Sequence, residues 1–162
     1  MKRRELRMTD MRAQPGYLIR RAHQTATAAF AAATADLDIT PLQFSALMAV
    51  KDNPYTDATS VSEMIYFDRT TVGHVLGRLE KKGLITRKSG TADGRMKLIC
   101  LTVKGELVIR EASQRVDEIA ETILKPFSVS ERTTLLKLLE KFAGRSSDRL
   151  IEKRQAPPPN AL

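Results

Sequence analysis

The chain has 162 residues, 42% of them apolar and 28% charged, long enough for one domain with a sizeable core and too apolar for a disordered chain. Lysine and arginine outnumber aspartate and glutamate by 27 to 19, a net charge of +8 with a pI near 9.9, which favours an anionic partner such as nucleic acid. One cysteine and 2 histidines make neither an intramolecular disulfide nor a zinc pattern, and no apolar run approaches the ~18 residues of a spanning helix, so no metal, no cofactor, no membrane contact and a cytoplasmic location are expected.

Residues 1–14 set Lys2, Arg3, Arg4, Arg7 and Arg12 against Glu5 and Asp10. This reads as a flexible basic arm, either a solvated terminus or a segment that lies against phosphates. From Pro15 to about Asp36, Ile19, His23, Ala26, Phe30, Ala33 and Leu37 fall on one stripe, the pattern of a long amphipathic helix. Thr40, Pro41 and Gln43 form a T-x-x-Q capping box with proline at the first helical position. The second helix they open carries Leu42, Phe44, Leu47, Met48 and Val50 and ends near Asp52, Asn53 and Pro54. Val61, Met64 and Ile65 predict a short third helix capped by Ser60 and Glu63, with Phe67 packed inward at its end. Asp68 caps a fourth helix, whose apolar face is Val72, Val75, Leu76 and Leu79, and Gly83 stops it in the left-handed position. The runs "LITRK" and "MKLICLT" read as strands on either side of a glycine-containing loop, "SGTADGR". A fifth helix, read as continuous, runs from Val103 through Leu107, Val108, Ala112, Val116, Ile119 and Ile123 to Pro126. A sixth opens on a Ser128 and Glu131 capping box and carries Leu135, Leu138, Leu139 and Phe142. The tail "QAPPPNAL" reads as disordered or extended.

This order is a mainly α fold, a winged helix-turn-helix with a two-stranded β-wing. The fourth helix, roughly 21 Å long at ~1.5 Å per residue, fits the major groove of B-DNA. Residues 68–97 hold eight basic side chains, Arg69, Arg78, Lys81, Lys82, Arg87, Lys88, Arg95 and Lys97, against Asp68, Glu80 and Asp93. A merely solvated helix face mixes its signs more evenly. Thr70, Thr71 and His74 are short enough to reach base edges or phosphates, and Arg95 in the loop can enter the minor groove. Gly73 and Gly77 cost about 1 kcal/mol each inside a helix. Either close approach to DNA or tight packing on a neighbouring helix compensates for them.

The helix order, with "LDITPLQFSALMAV", "DRTTVGHVLGRLEKKGLITRK" and "ADGRMKLICLTVKGE", resembles the MarR family of winged-helix transcriptional regulators. The likeness spans residues 15–150. Asp93, Gly94 and Arg95 match the family's wing signature, and Leu101, Thr102 and Gly105 match its lead-in to the fifth helix. The resemblance implies that Arg95 enters the minor groove while Asp93 pairs with Arg78 to brace the wing. It further implies a DNA-binding lobe of about 40–102, dimerisation helices of about 15–36 and 103–150, and a flexible tail of 151–162. On this reading a homodimer binds a pseudo-palindromic operator in double-stranded DNA, with Arg69, Thr70, Thr71, His74, Arg78, Arg87, Lys88, Arg95 and Lys97 as the contact residues.

Family members commonly bind small aromatic acids or related anions, which implies a repressor released by such an effector. His23 interrupts the apolar stripe of the first helix, as a ligand contact or as a hydrogen-bonded core residue. Arg20 can supply the cation for a carboxylate, and Phe44, Met48, Met64 and Tyr66 the apolar wall, their alternative being ordinary core. The peroxide-sensing branch uses a cysteine near the start of the first helix, where this chain has none, and Cys100 reads as a buried, inert thiol. The competing function is an architectural protein that coats DNA with little sequence preference. No nucleophile and base pair, phosphate loop or metal-ligand spacing supports an enzyme.

Overall fold

The computed structural model describes residues 7–89 and 97–144. Its elements are α1 (Met8–Arg12), α2 (Pro15–Ala33), α3 (Pro41–Asp52), α4 (Ala58–Ile65), α5 (Arg69–Lys81), β1 (Ile85–Ser89), β2 (Lys97–Leu101), α6 (Val103–Ser113), α7 (Val116–Leu124) and α8 (Val129–Ala143). The chain divides into two compact units after Ile123, the second of which contains α8. Residues 8–12, within the stretch read as an arm, form a short helix. Residues 1–6 and the tail of 151–162 lie outside the described residues.

The capping box that opens α3 is present in both directions. The Gln43 backbone N–H donates to Thr40 Oγ1 at 3.2 Å, and the Thr40 N–H donates to Gln43 Oε1 at 3.1 Å. Leu47 and Val50 of α3, Val61 of α4, Val72, Leu76 and Leu79 of α5, and Ile109 of α6 are fully buried and form one core. Ile85 and Ile99 join it from the sheet. The wing strands pair antiparallel with Ile85 opposite Leu101 and Arg87 opposite Ile99. An isolated β-bridge from Thr56 to Ile99 ties the segment before α4 to β2: Ile99 N–H donates to the Thr56 carbonyl at 2.8 Å and Tyr55 N–H to the Ile99 carbonyl at 3.1 Å.

Three expectations are corrected. The third helix starts at Ala58, because Asp57 rather than Ser60 caps it. Its carboxylate accepts from Thr59 N at 2.7 Å, from Ser60 N at 3.2 Å and from Ser60 Oγ at 2.9 Å. Phe67 is 45% exposed rather than packed inward, since Tyr66 ends α4 in the left-handed region at φ 56 and redirects the chain. The fifth helix is broken into α6 and α7 at Gln114 and Arg115. There the Arg115 N–H shifts to the Ala112 carbonyl, three residues back, at 3.1 Å. The Arg115 side chain meanwhile donates to the Ala33 carbonyl at the end of α2, at 2.7 Å, and to both carboxylate oxygens of Asp36.

The junction of wing and α6 is set by Thr102 and Gly105. Thr102 Oγ1 donates to the Gly83 carbonyl at 2.6 Å and accepts from Gly105 N at 3.0 Å. A Cβ at Gly105 would overlap the Leu84 carbonyl oxygen. That backbone approach, which only glycine permits, is the physical content of the L-T-x-x-G lead-in.

Candidate nucleic-acid interface and effector cleft

α5 is held at both ends by its own sequence. Asp68 caps its start, accepting from Thr71 N at 2.9 Å and from Thr71 Oγ1 at 2.6 Å, and these bonds hold the Asp68 carboxyl below its ordinary range. At the other end Gly83, at φ 69, closes a Schellman motif. The Leu84 N–H reaches the Leu79 carbonyl and the Gly83 N–H the Glu80 carbonyl, both at 2.9 Å. Val72, Val75, Leu76 and Leu79 are buried, which fixes the rotation of the helix. Arg69, Thr70, His74, Arg78 and Lys81 are therefore exposed on the other side. Thr71 is half-buried, with its hydroxyl proton committed to Asp68.

A Cβ built at Gly73 or at Gly77 meets nothing within 4 Å. Of the two explanations left open by the sequence, tight packing against a helix of the same chain is thereby removed. Gly77 lies three, four and seven residues from His74, Lys81 and Thr70, in the middle of the polar face.

In the wing, Lys88 and Lys97 are exposed. Arg87 is not aimed outward: it shares the inner sheet face with Ile85 and Ile99, and its Nε lies 3.2 Å from Glu80 Oε2 on α5. This ion pair braces the first wing strand against the recognition helix. The period-2 alternation from Ile85 was the available signal for it. Asp93, Gly94 and Arg95, and so the Asp93–Arg78 brace, lie outside the described residues. Cys100 is half-buried rather than buried, because it sits opposite Thr86 on the outer face of the sheet.

Of the proposed effector residues, Phe44, Met48 and Met64 line a cleft of about 380 Å³ together with Ser45, Ala49, Asp52, Asn53 and Ile65. The Phe44 ring packs on Phe30, centroids 5.7 Å apart. Arg20, His23 and Tyr66 do not line the cleft. His23 is exposed on α2, so it is not a core residue of this chain, and Tyr66 is exposed at the end of α4. The Arg20 guanidinium stacks over the Tyr17 ring at 4.9 Å. A hydrogen bond with Arg21, aided by the charges of Arg12 and Arg20, pulls the Tyr17 phenol below its ordinary value. Ser45, Ala49, Asp52, Asn53 and Ile65 are lining residues that the sequence reading did not assign to an effector site. Among the described residues no group of histidine, cysteine and carboxylate side chains is placed to hold a metal, and no helix is long and apolar enough to cross a membrane.

A capped recognition helix with a cationic outer face, followed by a braced antiparallel hairpin, defines a winged-helix DNA-binding protein. Comparison with known proteins narrows this class. Residues 37–96 match the MarR family. The transcriptional regulator HosA of Escherichia coli is 29% identical over 105 residues, which are 65% of this chain and 78% of HosA. Among solved structures, a probable transcriptional regulator from Pseudomonas aeruginosa aligns with a TM-score of 0.75 and 30% identity over 82% of this chain and 98% of its own. BpsR of Bordetella bronchiseptica, whose DNA binding is regulated by 6-hydroxynicotinic acid, aligns with a TM-score of 0.74 and 28% identity over 83% of this chain and 96% of its own. The chain belongs to the MarR family and is a DNA-binding transcriptional regulator. Its relatives are regulators of transcription rather than enzymes.

Proposed function

We infer that the chain is a homodimeric repressor that binds a pseudo-palindromic operator and is released by a small aromatic acid. The observation that carries the DNA reading is α5, with one face wholly buried and the other presenting Thr70, His74, Arg78 and Lys81 around an unobstructed Gly77. Arg69, Lys88 and Lys97 add phosphate contacts at its flanks, Thr71 orders the helix start, and Arg87 positions the wing through Glu80. Arg95 reaches the minor groove from the wing loop, braced by Asp93 against Arg78. Residues of about 40–102 form the DNA-binding lobe, and those of about 15–36 and 103–150 the dimerisation region. Leu18 and Ile19 of α2, and Leu136, Leu138, Leu139 and Phe142 of α8, are exposed apolar side chains that a second copy would cover.

The effector reading is supported by the acid-regulated relative BpsR and by Arg20, an exposed guanidinium held by Tyr17. In the dimer Arg20 and His23 meet the carboxylate, and Phe44, Met48, Met64 and Tyr66 offer apolar surface to the ring. Bound acid favours a spacing of the two recognition helices that cannot enter successive major grooves. The test is fluorescence anisotropy of duplexes drawn from the DNA flanking the gene, against random duplex, with hydroxynicotinic and hydroxybenzoic acids titrated into the complex. Tight binding that random DNA does not compete, released by an acid, is expected. Equal affinity for random DNA leaves only an architectural role, and acids that bind without changing operator affinity remove the repressor switch.

A further inference from the structure

The cleft beside Phe44 has an electrostatic character opposite to that of the chain as a whole. Asp52 is the one charged residue in its lining. It is the last residue of α3 and Asn53 is the C-cap, so the polar end of the cleft coincides with the negative end of a helix dipole, where cations are stabilised and anions are not. The Asn53 amide does not offset this, because its Nδ2 already donates to the Ala49 carbonyl at 3.1 Å and lies 3.1 Å from Met64 Sδ. Across α3, α4 and their connection, residues 41–65, Lys51 stands against Asp52, Asp57 and Glu63, a local net of −2 within a chain of +8. Beside Ser45, Ala49 and Asn53, the lining holds one aromatic ring, two thioethers and an isoleucine. Such groups attract an organic cation through the ring face and the soft sulfur atoms.

We propose that this cleft binds a second class of ligand, a compact amphipathic ammonium whose aromatic or aliphatic body rests on Phe44, Met48 and Met64 and whose charged head lies at Asp52. The volume of about 380 Å³ suits a molecule of roughly a dozen heavy atoms, at the small end of ordinary ligand sites. This goes beyond the aromatic-acid reading, with which it shares the wall of Phe44, Met48 and Met64, and differs from it in the head group: an acid needs Arg20, which is absent from the lining, whereas the ammonium needs only groups that one chain already brings together.

The test is isothermal titration of the full chain with 4-phenylbutylammonium and with 4-phenylbutyrate, probes of matched length and opposite head charge. In Arg20→Ala, which removes the cation an acid would use, the ammonium is expected to bind at least about tenfold more tightly than the carboxylate. Asp52→Asn lowers ammonium affinity about two- to fivefold, the scale of a single exposed charge pair, and Asp52→Lys reverses the preference between the probes. Met48→Trp, verified as folded by its thermal melt, fills the cleft and abolishes ammonium binding. Equal or tighter binding of the carboxylate in Arg20→Ala overturns the proposal, as does an ammonium affinity that ignores Asp52→Asn or Met48→Trp. Loss of dimerisation in Met48→Trp, with no ammonium bound by the unmodified protein, instead assigns the cleft to a second copy and also overturns it. Operator release by acids in Arg20→Ala is a separate measurement, so either reading can fail alone.

Discussion

Replacing Gly77 by alanine should make the protein more stable and a poorer DNA binder. Glycine in a helix interior costs about 0.5–1 kcal/mol relative to alanine, through the backbone entropy lost on folding. The methyl group added at Gly77 meets nothing within 4 Å in the folded chain, so no steric penalty offsets the gain. For a chain of this size that gain raises the melting temperature by about 2–4 °C. The same methyl stands between Thr70, His74 and Lys81 on the face offered to the groove. If the helix backbone approaches the base edges there, operator affinity falls by about tenfold, or ~1.4 kcal/mol. Differential scanning calorimetry and operator anisotropy on the same preparation read the two effects. A rise in stability with unchanged affinity would show that DNA does not come close at Gly77. A fall in stability would show that a packing contact had been overlooked. Gly73→Ala, further round the helix, should give the same stability gain with a smaller loss of binding.

Three further outcomes follow from named contacts. Gly105→Ala forces a methyl onto the Leu84 carbonyl oxygen and should cost about 1–3 kcal/mol, seen as a lower denaturant midpoint with unchanged slope; a midpoint that does not move refutes the close approach. Arg115→Ala should return the Asp36 carboxyl from about 2 to its ordinary value near 3.8, because its hydrogen bond from Arg115 is the main cause of the lowering. A carboxyl with a depressed folded-state value stabilises the fold above its unfolded pKa and loses that contribution as pH falls through the folded one. The stability gap between the two proteins should therefore be constant above about pH 5 and narrow as pH falls through about 2, down to the pH-independent part left by the lost Arg115–Ala33 hydrogen bond, and a gap that does not change with pH refutes the pairing. On the proposed minor-groove role of Arg95, Arg95→Ala should weaken operator binding several-fold and leave the sedimentation coefficient of the protein unaltered; full affinity would remove Arg95 from recognition.

The parts of the fold legible in the sequence were those written in local chemistry. The T-x-x-Q box at Thr40 and Gln43, the Asp68 cap and the Gly83 stop each involve residues within five positions of one another, and the structure shows each in place. What could not be read depends on partners far along the chain. The break at Arg115 needs Ala33 and Asp36, about eighty residues away, and no periodicity in "REASQRVDEIA" announces it. Arg87 looked like one more cation of a basic strand until Glu80 was found beside it. Phe67, apolar by type, is turned outward by the backbone of the tyrosine before it.

The cleft beside Phe44 shows the same division with a sharper consequence. Phe44 and Met48 lie one turn apart on α3 and Met64 lies on α4, and the three line one cavity, whereas Tyr66, read with them as part of the wall, does not. The cation read with them, Arg20, lies one turn before His23 of the amphipathic stripe, and a stripe fixes the side of a helix without fixing its neighbours. Within one chain that guanidinium stacks on Tyr17 instead, and the charge at the cleft is the carboxylate of Asp52. Spacing thus located the apolar half of a binding site, whereas the sign of its polar half came from which helix end the fold brings to it. If both ligand classes bind, they share the wall of Phe44, Met48 and Met64, and an acid and an ammonium would then compete for one regulator.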